Sequence, residues 1–202
     1  MTASELADLI RERAIGRARF LIGIAGPPGA GKSALAANLV QELGAGAKVV
    51  PMDGFHYDDA VLGARGLQAR KGAPETYDVE GFLHLIARLR SGAEVAIPVF
   101  DRSIELSRAA ADVVTLSDRL LVIEGNYLLL NDPPWGDLAP RLDLTVFIDV
   151  PEPELERRLQ QRWADHGKSI AEARVWIDTN DLPNIRRVKQ GSRPADVVVR
   201  WH

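Results

Sequence analysis

Short apolar runs and amphipathic stretches alternate along most of this chain. The apolar runs have the length and composition of buried β-strands, and they lie at residues 19–25, 48–52, 120–123, 144–148 and 197–199. Apolar residues at helical spacing occupy other stretches, at 3–14, 34–43, 80–90, 152–166 and 171–178. This alternation predicts an α/β fold, in which a mostly parallel sheet is covered by helices on both faces.

Three segments depart from this alternation. Residues 94–100 predict a strand at a sheet edge because they include Pro98, and we expect residues 110–116 to pair with it. Residues 57–79 are polar and contain glycine, which predicts a long loop of the kind that is usually functional or disordered. Residues 180–184 are expected to break or restart the last helix.

The composition is typical of a globular protein and argues against nucleic-acid-binding and membrane-spanning classes. The chain has 202 residues, 46% of them hydrophobic and 26% charged, which suits a single globular domain over residues 1–202. A net charge of -3 argues against a nucleic-acid partner, and no apolar run is long enough for a membrane span. The lack of cysteine excludes disulfides and thiolate metal sites, and with no secretion signal at the N-terminus it favours the cytoplasm.

The first predicted strand leads into a glycine-rich segment and then a helix. The segment fits the phosphate-binding pattern G-x-x-x-x-G-K-[ST] with Gly26, Pro27, Pro28, Gly29, Ala30, Gly31, Lys32 and Ser33. In this strand–loop–helix context, backbone N–H groups and the helix N-terminus converge on phosphate. We therefore expect ATP here, with Lys32 at its β- and γ-phosphates and the Ser33 hydroxyl on Mg²⁺.

Two carboxylates and two arginines complete the candidate chemistry. Asp53 and Glu124 follow apolar strands, and ligands gather at the carboxyl ends of parallel strands. Asp53 is a candidate general base, although it could merely cap a turn, and Glu124 is a candidate metal ligand or an ordinary loop carboxylate. Arg158 and Arg162 lie four residues apart on one helix face, which indicates a lid over the phosphates or simply a solvated face.

Several segments together resemble the P-loop kinases that include uridine kinase, phosphoribulokinase and bacterial pantothenate kinase. The match extends to the branch named for fructose-transport-system kinases, and it rests on residues 26–33, 53–56, 65–67, 70–78, 123–126 and 156–168. The resemblance implies a P-loop NTPase three-layer sandwich, a five-stranded core with a small lid near residues 153–168. It also implies Asp53 as the base on the acceptor hydroxyl, Glu124 at Mg²⁺ or its waters, and Arg193 in a turn that contacts adenine.

These observations predict an ATP-dependent kinase that phosphorylates an alcohol of a small metabolite. Sequence position suggests the following acceptor-binding candidates: Asp53, His56, Arg65, Lys71, Tyr77, Arg102 and Asn126. Residues 57–78 offer few aromatic groups for stacking a nucleobase, which ranks a sugar such as fructose above uridine, another nucleoside or pantothenate. We expect Trp163 and Trp176 in the core rather than at a ligand.

Two questions stay open at the level of sequence. The chain could instead be a regulatory ATP-binding NTPase, a class of protein that needs no base aimed at an acceptor. The oligomeric state is not fixed, and a homodimer is one option.

Overall fold

A parallel five-stranded sheet forms the centre of the molecule. The computed structural model describes residues 1–200. The strands are β1 (Phe20–Ala25), β2 (Ala47–Pro51), β3 (Val95–Asp101), β4 (Leu106–Val114), β5 (Leu120–Gly125), β6 (Leu144–Asp149) and β7 (Val197–Arg200). Those of the central sheet lie in the order β2-β5-β1-β6-β7, and every neighbouring pair is parallel.

Helices cover both faces of this sheet. They are α1 (Ala3–Arg13), α2 (Lys32–Leu43), α3 (Asp59–Ala64), α4 (Val79–Arg90), α5 (Glu152–Asp165), α6 (Ile170–Trp176) and α7 (Leu182–Gly191). Side chains of β1 alternate between two cores, with Leu21 packing on the side of α4 and Ile22 on the side of α1, α2 and α5. The predicted α/β three-layer sandwich is confirmed. None of the helices described between residues 1 and 200 is long and apolar enough to cross a membrane.

The remaining two strands, β3 and β4, form an antiparallel hairpin apart from the central sheet. The register shifts between Ile97 and Val99, at the position of Pro98, which cannot donate a ladder hydrogen bond. The pairing strand begins at Leu106 and not at residue 110 as predicted. Its exposed, alanine-containing residues 108–111 give no alternation by which the sequence could reveal a strand.

Two further segments are more regular than predicted. The expected loop at 57–79 contains α3 and the 3₁₀ turns Gln68–Arg70 and Pro74–Thr76. Only Leu62 of α3 is buried, so this helix has no apolar face to detect. Residues 177–181 form a π-helical turn that leads straight into α7, and the proline at the second position of α7 is tolerated because the first helical N–H groups have no intrahelical partner.

A buried arginine at the start of β1 ties this end of the sheet to its neighbours. The Arg19 guanidinium donates to the carbonyl oxygens of Asp118 (3.0 Å), Leu89 and Ala93 (both 2.8 Å) and Thr115 (2.7 Å). Arg19 is 7% exposed, so these carbonyls have little access to water. The side chain thus satisfies four backbone acceptors where α4 ends and β5 begins.

We expect Arg19→Met to lower the free energy of unfolding by about 3 kcal/mol. The methionine keeps the apolar stem, but the buried carbonyl oxygens lose their hydrogen-bond donors. Denaturant unfolding of this variant should be compared with Arg17→Met, which removes an exposed guanidinium two residues away. A loss as small in Arg19→Met as in Arg17→Met would contradict this structural role.

Candidate active site

The glycine-rich loop connects β1 to α2 and leaves backbone N–H groups free to bind an anion. Gly29 and Gly31 have φ values of 79° and 92°, a left-handed conformation that residues with a Cβ rarely adopt. Gly31 is the N-cap of α2, and no side chain of the described chain caps that helix. Its first amides therefore lack acceptors, and together with the positive end of the helix dipole they suit a phosphate group.

Lys32 and Glu124 lie buried beside this loop. The Lys32 ammonium donates to the carbonyl oxygen of Pro27 (3.1 Å). Burial lowers the pKa of Lys32 to about 8, although the nearby carboxylates of Glu124 and Asp53 act to raise it. Burial also raises the pKa of Glu124, against the effect of the nearby Ser33 hydroxyl. Both charges are thus held in a poorly hydrated place that favours strong electrostatic contacts with a bound phosphate.

Ser33 and Glu124 suit a magnesium ion. Both line the same cleft, and their hydroxyl and carboxylate oxygens are hard ligands of the kind that Mg²⁺ prefers. Mg²⁺ bound with nucleotide usually takes only one or two protein ligands and completes its shell with phosphate oxygens and water. The predicted pair therefore fits the ion by donor type and number.

Asp53 lies in the 3₁₀ turn Met52–Phe55 at the end of β2 and is held from two directions. Arg102 of the hairpin donates to one carboxylate oxygen (2.7 Å), and the Tyr77 hydroxyl approaches the other at 3.5 Å. The turn presses on β3 so closely that a Cβ on Gly54 would lie 2.4 Å from the carbonyl oxygen of Pro98. Glycine after Asp53 is thus a steric requirement of this turn.

His56 packs against aromatic rings beside Asp53. Its ring centroid lies 4.0 Å from that of Tyr77 and 4.9 Å from that of Phe100. Burial lowers the pKa of His56 to about 4, so the imidazole is neutral near pH 7. Its Nδ1 is buried without a hydrogen-bond partner in residues 1–200. A buried ring nitrogen without a partner is rare in proteins, which makes His56 a candidate for a role in ligand binding.

Lys71 joins the loop after α3 to the hairpin. Its ammonium lies 2.8 Å from the Asp59 carboxylate and 3.2 Å from that of Glu105. Burial lowers the pKa of Lys71, but hydrogen bonds to these two carboxylates outweigh it, and the net shift is upward. Lys71 therefore stays charged, with its charge matched locally. Lys71, Asp59, Glu105 and the predicted Asn126 all line the cleft.

Helix α5, which contains most of the predicted lid, packs directly on the glycine-rich loop. Arg158 donates to the carbonyl oxygens of Gly29 (3.3 Å) and Ala30 (3.5 Å) and to the Glu154 carboxylate (2.7 Å). A Cβ on Gly29 would lie 3.3 Å from Leu159 of the same helix. The sequence prediction of two arginines on one face agrees with this geometry, because Arg158 and Arg162 both line the cleft.

Arg162, Arg102 and Lys32 approach one another from three elements. Burial is the main cause that lowers the pKa of Arg162, and the neighbouring charge of Arg102 adds to it. Both arginines also act to lower the pKa of Lys32. Like charges brought together in this way create a site that attracts an anion.

Two predicted residues lie elsewhere. Arg65 is exposed and stacks on the ring of Tyr57 (4.3 Å from guanidinium carbon to centroid), outside the cleft lining. Arg193 donates to the Asn131 side chain (3.1 Å) and the Gly136 carbonyl (3.0 Å), so its guanidinium anchors a turn and does not line the cleft either. Neither arginine lines the cleft and local contacts engage both, so their contacts with ligands stay predictions.

The cleft also contains residues that sequence reasoning missed. Trp163 and Trp176 are half-buried in its wall and not in the core as predicted, and they are joined there by Asn180, Asp181 and Asn184. The whole cleft encloses about 730 Å³. The polar run at 180–184 was a visible signal, but the sequence offered no means of telling that a π-helical turn aims it inward.

Comparison with known proteins places these features in a family. The "Phosphoribulokinase / Uridine kinase family" matches residues 21–199. The chain is 33% identical over 195 residues to "Putative uridine kinase C227.14" of Schizosaccharomyces pombe, which covers 90% of this chain and 83% of that protein. It is 32% identical over 166 residues to a pantothenate kinase of Sorangium cellulosum, which covers 77% of this chain and 53% of that enzyme.

A solved structure resembles the whole chain. The "putative fructose transport system kinase" from Silicibacter sp. TM1040 superposes with a TM-score of 0.94 at 43% sequence identity, covering 98% of this chain and 99% of the other. The similarity thus extends over the sheet, the lid and the hairpin together.

The buried ammonium of Lys32 predicts how ATP use depends on pH. Its pKa is about 8, so the group loses its positive charge as pH rises through that value, and kcat/KM for ATP should fall above about pH 8. At saturating ATP, bound phosphates stabilise the ammonium, so kcat should hold to higher pH. Lys32→Ala should lower turnover by about 10²-fold and abolish the pH-dependent fall. A kcat/KM that stays constant to pH 10 would contradict this role.

The neighbouring arginines of α5 give a matched test of the lid. Arg158→Ala removes the bonds to the glycine-rich loop and should lower kcat/KM by about 10-fold or more. Arg157→Ala removes only an exposed pair with the same Glu154 and should leave turnover unchanged. Melting temperatures of both variants serve as the control for stability. Equal turnover in the two variants would assign Arg158 a structural role.

Proposed function

The chain belongs to the phosphoribulokinase/uridine kinase family and is an ATP-dependent small-molecule kinase, and on this premise we propose that it phosphorylates a hydroxyl of a sugar such as fructose. The observation that supports transfer to an acceptor is the position of Asp53. It lies just after β2, at the same sheet edge as the glycine-rich loop, close enough to affect the pKa values of Lys32 and Glu124. A regulatory NTPase has no need of a carboxylate aimed there.

The proposed reaction is an in-line transfer. The acceptor oxygen forms a bond to the γ-phosphorus of ATP while the bond to the bridging oxygen of ADP breaks. Asp53 orients the acceptor hydroxyl and takes its proton. Arg102, which pairs with Asp53, keeps this carboxylate in place until an acceptor hydroxyl reaches it. Lys32, Arg158 and Arg162 stabilise the negative charge on the transferred group.

Binding of the two substrates involves different parts of the cleft. Amides of the glycine-rich loop and of the first turn of α2 would hold the phosphates of ATP. Ser33 and Glu124 would hold Mg²⁺, which neutralises charge on the β- and γ-phosphates when it is bound. The lid helix excludes water, which otherwise competes with the acceptor for the phosphoryl group.

The acceptor side of the cleft favours an uncharged polyol. Its cations are matched by carboxylates, since Lys71 pairs with Asp59 and Glu105, and Arg102 pairs with Asp53. A neutral molecule rich in hydroxyls can bind such a wall without leaving a charge unpaired. The neutral His56 and the amide of Asn126 add donors and acceptors of the same kind. The name of the Silicibacter protein points in the same direction, whereas uridine and pantothenate stand as the alternative acceptors.

An acceptor panel tests the proposal. Purified protein with ATP and Mg²⁺ should release ADP when fructose or a related sugar is added, and more slowly with uridine, cytidine or pantothenate. Asp53→Asn should lower kcat with the preferred acceptor by about 10²-fold or more, because it loses the base. Asp112→Asn is the control, since it removes another ion-paired aspartate that lies outside the cleft.

The outcomes test the identity of the acceptor and the role of Asp53 separately. Preference for a nucleoside or for pantothenate would refute the sugar and keep the kinase with Asp53 as its base. Normal turnover in Asp53→Asn would remove Asp53 from the reaction.

A further inference from the structure

A buried carboxylate on the lid side of the cleft has no part in the reaction described so far. Asp181 is 7% exposed, yet it lines the cleft. Trp163 donates its indole N–H to one oxygen of this carboxylate (2.7 Å), and within residues 1–200 it is the one hydrogen-bond donor and no salt bridge reaches the group. The second oxygen is therefore available to a molecule in the cleft.

The local backbone gives no structural reason for this carboxylate. Asp181 ends the π-helical turn Ile177–Asp181 and precedes α7, where an aspartate commonly caps a helix. Here the aspartate has helical φ and ψ (-67° and -47°), and its side chain caps no amide of α7 in the described chain. The single bond from Trp163 does not require a charge either, because an asparagine oxygen could accept it equally well. Turns of π-helix are frequent at functional sites.

Asn180, the preceding residue of the turn, differs from Asp181 in being fully engaged. Its amide nitrogen donates to the Lys71 carbonyl (2.8 Å), and its oxygen accepts from Asn184 (3.3 Å) and Arg70 (3.4 Å). These bonds fix the turn against the loop that carries Lys71. Asp181 is thereby held at the cleft by a rigid support, with its own oxygen uncommitted.

An aromatic surface adjoins this carboxylate. The rings of Trp163 and Trp176 meet edge to face with centroids 5.8 Å apart. The Lys168 ammonium lies 5.5 and 5.6 Å from their two centroids and holds the pair together by cation–π contacts. An indole face beside an acceptor oxygen complements a sugar, whose C–H groups pack on the ring while a hydroxyl donates to the carboxylate.

Asp181 shares the cleft with the candidate base. Asp53, Arg162 and Asp181 all line it, and Arg162 lies near enough to both carboxylates for each to favour its charged form. We propose that Asp181 accepts a hydrogen bond from an acceptor hydroxyl that is not phosphorylated, while Trp163 orients this carboxylate and packs against the carbon skeleton of the acceptor. This inference rests on the proposed function, and it adds two specificity-determining residues to the acceptor site.

The neutral isostere provides the test. Asp181→Asn keeps the acceptor for the Trp163 indole and removes a carboxylate that burial makes costly, since burial raises its pKa to about 6. The variant should therefore be at least as stable as the wild type near pH 7.5. Its KM for the acceptor should rise about 10-fold or more, with KM for ATP unchanged. Trp163→Phe should raise the acceptor KM as well, because it keeps an aromatic ring but no longer orients Asp181.

Asp178→Asn is the matched control. It removes the same charge from the same turn, but Asp178 is exposed and pairs with Arg174 (3.0 Å) outside the cleft. Its kinetic constants should equal those of the wild type.

Deoxy analogues of the preferred acceptor, one for each hydroxyl that is not phosphorylated, identify the contact. One analogue should bind the wild type less tightly than the full acceptor does. The affinity of that same analogue should not fall further in Asp181→Asn, because the hydroxyl that contacts Asp181 is already missing. An unchanged acceptor KM in Asp181→Asn, or a loss that affects ATP equally, would overturn the inference. These measurements use whichever acceptor the wild type phosphorylates. If that acceptor is a nucleoside, the proposed sugar is refuted, but the same measurements still test the role of Asp181.

Discussion

The parallel register of β2, β5 and β1 is the constraint on which the site depends. Pro51 pairs with Glu124, and Glu124 pairs with Ile24, so the three strands end side by side. The carboxyl ends of the strands therefore bring three groups to one edge of the sheet: the candidate base just after β2, the candidate metal ligand near the end of β5 and the glycine-rich loop after β1. A slip of one residue in this register would turn each side chain to the other face.

Burial of charge is the electrostatic consequence of this arrangement. Lys32 has a lowered pKa and Glu124 a raised one, and in both cases burial is the largest cause. Such groups weaken the fold when the cleft is empty, because each ionised form has lost much of its hydration. A bound phosphate and a metal ion would restore the missing interactions. Functional sites commonly concentrate perturbed groups in this way, and the surrounding cores on both faces of the sheet keep them in place.

The sequence could predict those parts of the structure that local pattern determines. Strong apolar runs fix the sheet, and the strand–loop–helix context of Lys32 fixes the phosphate site. Asp53 and Glu124 follow from the rule that chemistry gathers at strand ends. Arg65 and Arg193 do not line the cleft, and the sequence could not show this because a basic residue in a polar loop gives no sign of the direction of its side chain. Trp163 and Asp181 could not be paired from sequence, since a π-helical turn sets their contact.

The cationic groups of the site come from three separate elements. Lys32 belongs to the sheet and α2, Arg102 to the hairpin, and Arg162 to the lid helix. Their charges oppose one another, since each arginine disfavours the charged form of Lys32 and Arg102 does the same to Arg162. An anion placed among them removes this repulsion and binds all three elements at once. The γ-phosphate of ATP would be such an anion, so its binding should stabilise the arrangement in which α5 and the hairpin lie against the sheet edge beside Asp53.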